Sequence, residues 1–472
     1  MSVLREDLIK VGRILMPIPE DAGFIISHLE NKGFPSYVVG GFVRDNILGI
    51  EPHDCDIATA AHPDQVAECF KDQKILETGI QHGTVTVIMN RQQYEVTTFR
   101  EDGKYSDGRH PDQVRFVSGI EEDLARRDFT INAMAYSSKY GLVDPYGGIE
   151  DCENRIIRCV GSPEDRFEED SLRILRAIRF AAQFKFSIER QTESAMLAKV
   201  NNLGRVSKER IASEFCKILD SDIPSEYLDH YRDIFKYVIP EFKDLMGFNQ
   251  KNPYHIYDVW DHTMVALTKA SSETKDRVVR LAVLFHDIGK PRCYTEDDTG
   301  RGHFYGHAVV GAVVTENVLR SLRLDNKTIN EVSSLVKAHD SMLEPKKRSV
   351  LRWLNRIGEE QFRRILIIRK ADISAQNPEF MQDRMEEIEK TQRILDEVLA
   401  EKKCFAIKDL AVNGNDIMRL GVPQGENVGK ILQHLLKCVI DGNVENNLVD
   451  LLSEAQQTKR LIELGVDIND DN

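Results

Sequence analysis

The stretch "VVGGFVRDNILGIEPHDCDIAT", residues 38–59, decides the fold of the N-terminal part of this chain. It opens as a short apolar strand, turns at Gly40-Gly41 into a helix-like segment, and then presents Asp54 and Asp56. Two glycines after a strand allow backbone amides to approach a ligand closely. Two carboxylates separated by one residue on a strand point to the same face. The stretch therefore predicts a place where a divalent metal is held beside a polyphosphate.

Two further side chains support this interpretation. Arg44, in the helix-like segment, has a guanidinium that can meet a phosphate bidentately. Glu95 stands mid-strand in "YEVTT", where a charged residue between β-branched neighbours needs a reason. Two or three carboxylates that share two magnesium ions stabilise both the attacking and the leaving oxygen of a phosphoryl-type transfer. Alone, Asp54 and Asp56 would more often form a solvated turn, so the prediction depends on these neighbours.

The bulk properties are those of an ordinary soluble protein. The chain has 472 residues, which predicts several domains, and 41% of them are hydrophobic and 30% charged. Its first residues include acids and no long apolar run, so we expect neither a signal peptide nor a membrane span. The eight cysteines include no CxxC pair, which indicates reduced cytosolic thiols rather than disulfides or a zinc site. The net charge of −14 argues against a non-specific nucleic-acid coat, although basic residues cluster locally.

The pattern along the chain predicts an α+β protein. Residues 1–155 mix strands and helices, and "TVTVIM" (84–89) and "YEVTTF" (94–99) alternate as strands do. From about residue 156 the pattern is helical almost throughout, as in "DSLRILRAIRFAAQF" with Leu172, Leu175 and Ile178 at helical spacing. We therefore predict four domains: a mixed α/β head (1–155), a helical neck (156–245), a histidine-rich helical domain (246–380) and a helical tail (381–472).

Six motifs stand in one order along the first part of the chain. They are "GGFVRD", "DCDIAT", "EVTTFREDGKYSDGRHP", "RRDFTINAMAY", "DPYGGIEDCENRIIRCVG" and "EDSLRILRAIRF". In this order the chain resembles the class II tRNA nucleotidyltransferases, the CCA-adding enzymes, and their relatives the bacterial poly(A) polymerases, within the polymerase-β-like superfamily. The resemblance is dense over residues 20–220 and resumes at "IKDLAVNGNDIM" (407–418), which looks like the start of the tail region.

The resemblance implies roles for residues of the head. Gly41 and Arg44 would contact the triphosphate, Asp54 and Asp56 would bind Mg²⁺, and Glu95 would be the third catalytic carboxylate.

Two further motifs would bind the rest of the nucleotide. In "RRDFTINAMAY", Arg127 would face the nucleotide, while Asp128 and Asn132 would hold the sugar side. By the same resemblance, Asp170 and Arg173 would form hydrogen bonds with the Watson–Crick edge of the incoming base. Their spacing of three predicts that they share one helix face. The spacing continues with Arg176 and Arg179. Arg179 should lie about half a turn from Asp170, where it would position other residues or phosphate.

The segment 99–116, "FREDGKYSDGRHPDQVRF", is glycine-rich and charged, which predicts a mobile loop. In the family that the chain resembles, an intact loop here is associated with the switch to ATP for the last addition. By resemblance, its presence favours full CCA addition or A-addition over CC-addition.

The third predicted domain carries histidines and aspartates on separate helical segments. The pattern resembles the HD phosphohydrolase superfamily, and it implies that His262, His286, Asp287 and Asp372 ligate a divalent metal of unknown identity. Three further histidines lie nearby, and of these His307 and His339 could extend the site or contact phosphate; the third is His303. Such a domain would trim 2′,3′-cyclic or 3′-phosphate ends of RNA. The alternative is an HD bundle that is retained but inactive.

Together these features predict a template-independent enzyme that adds CCA to tRNA 3′ ends. Its substrates would be tRNA, CTP and ATP, its cofactor Mg²⁺, and its location the cytoplasm, with no membrane partner. Recognition of tRNA would be by shape and backbone, through basic stretches such as "KKRSVLRWLNRIGEEQFRRILIIRK" (346–370) and through the tail. One alternative is a poly(A) polymerase or A-adding enzyme. The other is an HD phosphohydrolase with a non-catalytic RNA-binding head.

Overall fold

The computed structural model describes residues 16–76, 79–80, 83–103, 113–401, 403–464 and 466. Within it the chain divides into two compact units, Met1–Pro240 and Glu241–Asn472. The first unit combines a sheet with helices and the second is almost entirely helical, so the predicted α+β class is confirmed. All eight cysteines lie in the described part and are free thiols, as predicted.

A seven-stranded mixed sheet forms the centre of the first unit, in the order β3-β4-β5-β2-β1-β8-β9. Strands β2 and β5 run parallel and the other neighbours antiparallel. The two alternating stretches form β4 and β5, which pair as predicted because their inward residues are Val85, Val87, Tyr94 and Val96. The strands are β1 (Ser36–Val39), β2 (Ile57–Thr59), β3 (Lys74–Leu76), β4 (Thr84–Met89), β5 (Gln92–Thr98), β8 (Ala135–Ser137) and β9 (Gly141–Val143).

The helices of the first unit follow the strands. They are α1 (Glu20–Asn31), α2 (Gly41–Leu48), α3 (Pro63–Cys69), α4 (Ile120–Ala125), α5 (Gly148–Asn154), α6 (Pro163–Glu169), α7 (Leu172–Phe184), α8 (Arg190–Lys199), α9 (Lys208–Leu219), α10 (Pro224–His230) and α11 (Arg232–Val238). In α7 the predicted apolar positions Leu172, Leu175 and Ile178 are buried. A short parallel pair, β10 (Ile156–Ile157) with β11 (Ser187–Ile188), brackets α6 and α7.

Three local predictions differ from the structure. Asp54 and Asp56 do not lie on a strand, because β2 begins at Ile57. Asp170 does not lie in α7, because α6 ends at Glu169 and Asp170 has extended backbone angles. A turn between two helices therefore separates Asp170 from Arg173, rather than one shared helix face.

The predicted loop at 99–116 begins and ends in strands. β6 (Arg100–Asp102) pairs antiparallel with β7 (Val114–Phe116), with Arg100 opposite Phe116. Backbone pairing holds these flanks, so they are not the mobile loop that composition predicts. The centre of the segment, residues 104–112, lies outside the described residues.

The second unit is a helical array. Its helices are α12 (Val259–Glu273), α13 (Arg277–Phe285), α14 (His307–Ser321), α15 (Asn326–Ala338), α16 (Lys347–Ser374, interrupted at Gly358), α17 (Met381–Ala400), α18 (Gly414–Arg419), α19 (Glu426–Asp441) and α20 (Leu448–Glu463). A two-stranded hairpin, β12 (Thr295–Glu296) with β13 (Gly302–His303), precedes α14. Among the described helices of both units, none has the length and apolar content needed to cross a membrane.

Candidate active site

The Gly40-Gly41 turn brings backbone and a guanidinium into close contact. Gly40 has φ 64° and ψ −121°, and its N–H donates to Met134 O at 3.1 Å. A Cβ at Gly40 would lie 2.6 Å from Arg127 Nη1, so a side chain there would displace this arginine. Gly41 then begins α2. The strand-turn-helix form predicted from the sequence is therefore present, and its tight turn lies against Arg127.

The three acidic residues lie at one end of the paired strands β2 and β5. Ile57 on β2 pairs with Val96 on β5, and the two strands are parallel. Asp56 and Glu95 each precede one of these paired residues, so they lie side by side. Both side chains and that of Asp54 reach solvent. The pKa of Asp56 is raised by desolvation and then by the neighbouring Glu95 carboxylate, while Arg127 lowers it and Asp54 raises it further. These four charged groups thus share one electrostatic neighbourhood.

This set of donors fits Mg²⁺. Magnesium prefers oxygen ligands and is usually bound through one or two carboxylates plus substrate phosphates. Like charges repel, and a cation shared with phosphate oxygens would relieve the repulsion that raises the pKa of Asp56.

The protein satisfies the guanidinium of Arg127 only weakly. Its two hydrogen bonds, Nη1 to Asn132 O and Nη2 to Asp123 Oδ2, are both 3.4 Å long. Its Nε is buried without a hydrogen-bond partner. Burial lowers the pKa of this guanidinium. A donor group that is weakly satisfied next to a carboxylate cluster suits an anionic ligand, as predicted for the nucleotide.

A polar chain connects α2 to α7. Arg44 Nη1 donates to Asn132 Oδ1 at 2.6 Å, and Asn132 Nδ2 donates to Asp128 Oδ1 at 3.0 Å. Arg176 Nε and Nη2 both donate to Asp128 Oδ2, at 2.8 and 2.6 Å. Burial would raise the pKa of Asp128, but Arg176, Asn132 and Arg173 hold it well below its ordinary value. The Gly-Gly helix and the arginine-rich helix are therefore linked through Asn132 and Asp128.

Arg44 itself is held by protein groups. It is 7% exposed, its Nε donates to Asp45 Oδ1 at 2.8 Å, and its guanidinium lies 4.7 Å from the ring centroid of Phe184. The sequence predicts that the Arg44 guanidinium binds a phosphate bidentately. In this structure the guanidinium is occupied by protein groups and is not free to do so. Its contacts instead fix Asn132 and pack α2 against α7.

The two residues predicted to contact the base have protein partners of their own. Asp170 Oδ2 accepts from Arg210 Nη2 at 2.6 Å, and Asp170 Oδ1 accepts from Leu172 N at 3.0 Å. Arg173 Nη1 donates to Glu169 Oε2 at 2.6 Å, and its Nη2 donates to Arg126 O at 3.2 Å. Both are therefore held in fixed positions.

Arg179 contacts a different set of residues from Asp170 and Arg173. Its Nε donates to Glu214 Oε2 at 2.5 Å, and its guanidinium lies 3.7 Å from the ring centroid of Phe180. Sequence reasoning missed Glu214, Glu169 and Arg210 as partners. Glu169 could have been predicted, because it adjoins Asp170 in the "EDSLR" motif. Arg210 and Glu214 could not, because they reach Asp170 and Arg179 only through the packing of α9 on α7.

The second unit brings all the predicted metal ligands together. His262 Nε2 lies 3.0 Å from Asp372 Oδ1 and 3.5 Å from Asp287 Oδ2, and His286 Nε2 lies 3.2 Å from Asp287 Oδ2. On its other side, Asp287 Oδ1 lies 3.5 Å from His307 Nε2 and 3.9 Å from His339 Nε2. Asp287 is thus shared between two three-residue groups, each with its ligand atoms within 4.8 Å of one another.

The outer nitrogens of these rings contact backbone carbonyls. The Nδ1 atoms of His262, His286, His307 and His339 lie 3.0, 2.7, 2.9 and 2.6 Å from the carbonyl oxygens of Ala375, Val283, Phe304 and Val336. Donation from Nδ1 leaves Nε2 to face inward, which is how metal-ligating histidines are oriented in proteins. His303 is not part of this set, because its Nε2 pairs with Asp297 at 2.7 Å.

Charge inside this cluster is uneven. Burial lowers the pKa of His339 to about 3, so that ring is neutral at neutral pH. Burial opposes protonation of His286 as well, but the adjacent Asp287 raises its pKa to about 10. Lys290 Nζ, also buried, lies 2.6 Å from Asp287 Oδ2. A metal would replace these cations as the partner of Asp287.

The fold and the head site resemble those of nucleotidyltransferases. Three family models match parts of the chain: the Poly A polymerase head domain (residues 36–158), the probable RNA and SrmB-binding site of polymerase A (185–246), and the putative tRNA nucleotidyltransferase domain 2 (308–455). The first of these spans the Gly-Gly turn, the three carboxylates and Arg127.

Curated relatives narrow the class, one of them over most of the chain. The CCA-adding enzyme of Levilactobacillus brevis is 33% identical over 428 residues, 89% of this chain and 94% of that protein. That of Lactobacillus helveticus is 50% identical over 194 residues, 41% of this chain, and the match spans only 48% of the relative's length. The chain belongs to the family of CCA-adding enzymes.

Solved structures agree with this membership. The CCA-adding enzyme of Bacillus stearothermophilus in complex with CTP superposes with a TM-score of 0.70 and 28% identity, over 96% of this chain and 100% of that one. The Thermotoga maritima CCA-adding enzyme complexed with tRNA shares the fold, with a TM-score of 0.59 over 94% of this chain and 96% of that one, at 21% identity.

Proposed function

We propose that this protein adds C, C and A to the 3′ ends of tRNA from CTP and ATP, with release of pyrophosphate. The observation that carries the proposal is the juxtaposition of Asp54, Asp56 and Glu95 with the weakly satisfied guanidinium of Arg127. Membership of the CCA-adding family and the relatives' structures with CTP and with tRNA support it. The same proposal places the protein in the cytoplasm.

In the proposed reaction the tRNA 3′-hydroxyl oxygen attacks the α-phosphorus of the nucleotide. A new O–P bond forms as the bond to the pyrophosphate oxygen breaks, and the hydroxyl proton passes to solvent. Arg127 and the N–H group of Gly41, at the start of α2, would hold the triphosphate. Asp54 and Asp56 would hold Mg²⁺, with Glu95 beside them, and bound Mg²⁺ supplies charge neutralisation at the attacking and leaving oxygens.

Base selection would depend on fixed protein groups. Asp170 offers carboxylate acceptors and Arg173 offers donors, and Arg210 and Glu169 hold them in place. The polar chain from Arg44 to Arg176 would keep α7 at a constant distance from the triphosphate site. A site built on hydrogen bonds rejects a wrong base strongly, because the mismatch leaves buried polar groups unpaired.

The deciding experiment uses a tRNA transcript that ends at its discriminator base. It is incubated with Mg²⁺ and CTP, ATP or both, and products are resolved at single-nucleotide length. Two additions with CTP, and a third only when ATP is present, support the proposal. A long tail with ATP alone identifies a poly(A) polymerase, and one A added only to a transcript ending in CC identifies an A-adding enzyme. Loss of all addition in Asp54→Ala/Asp56→Ala is expected; retained addition contradicts the metal assignment.

The histidine cluster favours a second activity. Its buried rings, with Nδ1 held by carbonyls and Nε2 facing Asp287, can hold one or two divalent metals that activate water for attack on phosphorus. We propose hydrolysis of 3′-phosphate or 2′,3′-cyclic phosphate at RNA ends. Asp287→Ala should abolish this hydrolysis and leave CCA addition intact, and His303→Ala, outside the cluster, should preserve both. Hydrolysis that survives in Asp287→Ala excludes the cluster as its site.

A further inference from the structure

A third group of side chains that could ligate a metal lies in the second unit, and it shares no residue with the histidine cluster. His434 and Cys438 stand four residues apart on α19, and so lie on the same face of the helix. Glu454 reaches them from α20. Their ligand atoms all lie within 4.8 Å of one another. The group therefore joins two helices of the tail through three different donor types, one nitrogen, one sulfur and one oxygen.

The distances within the group match those between ligands of a tetrahedral metal. His434 Nε2 lies 3.2 Å from Glu454 Oε1 and 3.4 Å from Cys438 Sγ. Tetrahedral bonds of about 2.0–2.3 Å place neighbouring donors about 3.3–3.7 Å apart. The two distances from His434 Nε2 are therefore close to those that a tetrahedral ion requires, and the third, from Cys438 to Glu454, is at most 4.8 Å.

The partial exposure of the group suits a metal ion that has three protein ligands and one coordination position open to solvent. Cys438 is 9% exposed, while the side chains of His434 and Glu454 are 22% and 25% exposed. A metal could therefore enter from solvent and keep a water molecule as its fourth ligand. Thiolate, imidazole and carboxylate together favour a zinc-type ion over magnesium or calcium. The absence of a CxxC pair hid this group from the sequence, because its ligands are one cysteine, one histidine and a distant glutamate.

We propose that His434, Cys438 and Glu454 bind a divalent transition metal of the zinc type, which ties α19 to α20. Binding would replace the thiol proton of Cys438 with a metal–sulfur bond, and the proton leaves to solvent. This site is separate from the histidine cluster, whose ligands include no sulfur, and its existence does not depend on either proposed activity.

Cobalt substitution tests the proposal, because a thiolate ligand gives Co²⁺ a charge-transfer band that imidazole and carboxylate ligands do not give. The full-length protein is stripped with a chelator and titrated with Co²⁺ alone. We expect a thiolate band whose saturating intensity corresponds to one thiolate-bound Co²⁺ per chain, in addition to the ions that the histidine cluster takes up. Cys438→Ser should abolish it. Cys404→Ser, which removes another buried cysteine of the same unit, and His262→Ala, which alters the histidine cluster, should both retain it.

A second variant guards against a fold defect in Cys438→Ser. His434→Gln keeps a polar side chain of similar size, and it should weaken the thiolate-linked Co²⁺ affinity at least tenfold. Absence of the band in the wild-type protein, its survival in Cys438→Ser, or unchanged affinity in His434→Gln overturns the proposal and identifies a hydrogen-bonded trio only.

Discussion

At the scale of single residues, Arg210 is the most informative side chain of the head. It touches neither metal nor triphosphate ligands, yet its guanidinium holds the Asp170 carboxylate at 2.6 Å. Loss of a charge-assisted hydrogen bond costs about 1.5–3 kcal/mol, which corresponds to roughly tenfold or more in an equilibrium. We predict that Arg210→Ala lowers kcat/KM for CTP about tenfold and narrows the discrimination between CTP and UTP.

Arg205→Ala is the matched control for this prediction, since Arg205 is exposed and pairs with Glu168. It should leave both quantities unchanged. If Arg210→Ala lowers thermal stability but leaves the CTP:UTP ratio intact, Arg210 is structural and Asp170 does not depend on it.

Arg173→Ala should relax base choice by the same measurement, and an unchanged CTP:UTP ratio there would remove Arg173 from base selection.

Gly40 offers a second test at this scale. Its positive φ and the 2.6 Å approach of Arg127 Nη1 predict that Gly40→Ala displaces the arginine and raises the KM for both nucleotides about tenfold. Gly33 also has a positive φ, 90°, but nothing lies within 4 Å of its Cβ position. Gly33→Ala should therefore lose some stability and keep its KM. Equal KM changes in the two variants would show that backbone strain, not Arg127, is responsible.

At the scale of elements, the sequence predicts α7 well and its connections poorly. Glycines, alternating strands and helical spacing are local signals, so the turn at Gly40, the β4–β5 pair and the buried face of α7 could be predicted. The starting point of α7 at Leu172 could not, because it depends on how Asp170 is held by Arg210 on α9. Likewise, the histidines predict a metal cluster, but the sharing of Asp287 between two groups arises only when four separate segments pack together.

The link between α7 and the 3₁₀ turn Thr130–Asn132 should contribute to stability. Arg176→Ala leaves the buried Asp128 without its bidentate partner. We predict that this substitution lowers the free energy of unfolding by about 1–3 kcal/mol. Loss of one partner of a fully buried pair would cost about 3–5 kcal/mol, but Arg176 is 32% exposed. Denaturant unfolding measures it, with Arg320→Ala, an exposed i,i+4 pair, as the control.

The pH dependence of this loss follows from Asp128. Its pKa is depressed in the folded state, so its ionisation stabilises the protein above the unfolded pKa of about 3.9. That contribution disappears as pH falls below this value. The difference between the wild-type protein and Arg176→Ala should therefore shrink below about pH 4. A difference that stays constant through this range would show that lost packing, not charge, explains the effect.

The basic start of α16 offers a surface suited to an RNA backbone. A recess of about 530 Å³ is lined by Lys346, Arg348, Arg352 and Arg356 around Trp353. Asp441 pairs with two of these cations and Glu344 is the one acid in the lining, so positive charge is in excess locally in a protein of net charge −14. We predict that Lys346→Glu/Arg356→Glu weakens tRNA binding at least tenfold and flattens its dependence on salt. Arg320→Glu/Lys327→Glu reverses two exposed cations outside the recess and outside residues 346–370, so it changes the net charge by the same amount and is the control. Equal losses in both double variants would reflect net charge alone.

At the scale of the whole molecule, the two metal centres proposed to be catalytic differ in ligand chemistry. The head offers carboxylates alone, Asp54, Asp56 and Glu95, and hard oxygen donors suit Mg²⁺. The second unit offers four imidazoles with Asp287 and Asp372, and imidazole favours ions later in the first transition row. Because the two ligand sets prefer different ions, removal and replacement of metal should separate the two activities in one intact chain.

We therefore predict that a chelator abolishes both nucleotide addition and phosphate hydrolysis. Mg²⁺ alone should then restore CCA addition on a transcript ending at the discriminator base, but not hydrolysis of a 3′-phosphate. Co²⁺ or Ni²⁺ should restore hydrolysis in the wild-type protein and not in Asp287→Ala. If Mg²⁺ restores both activities equally, the imidazole cluster does not select its metal by ligand type. If hydrolysis returns in Asp287→Ala but not in Asp54→Ala/Asp56→Ala, the head carries both reactions and the histidine cluster is structural.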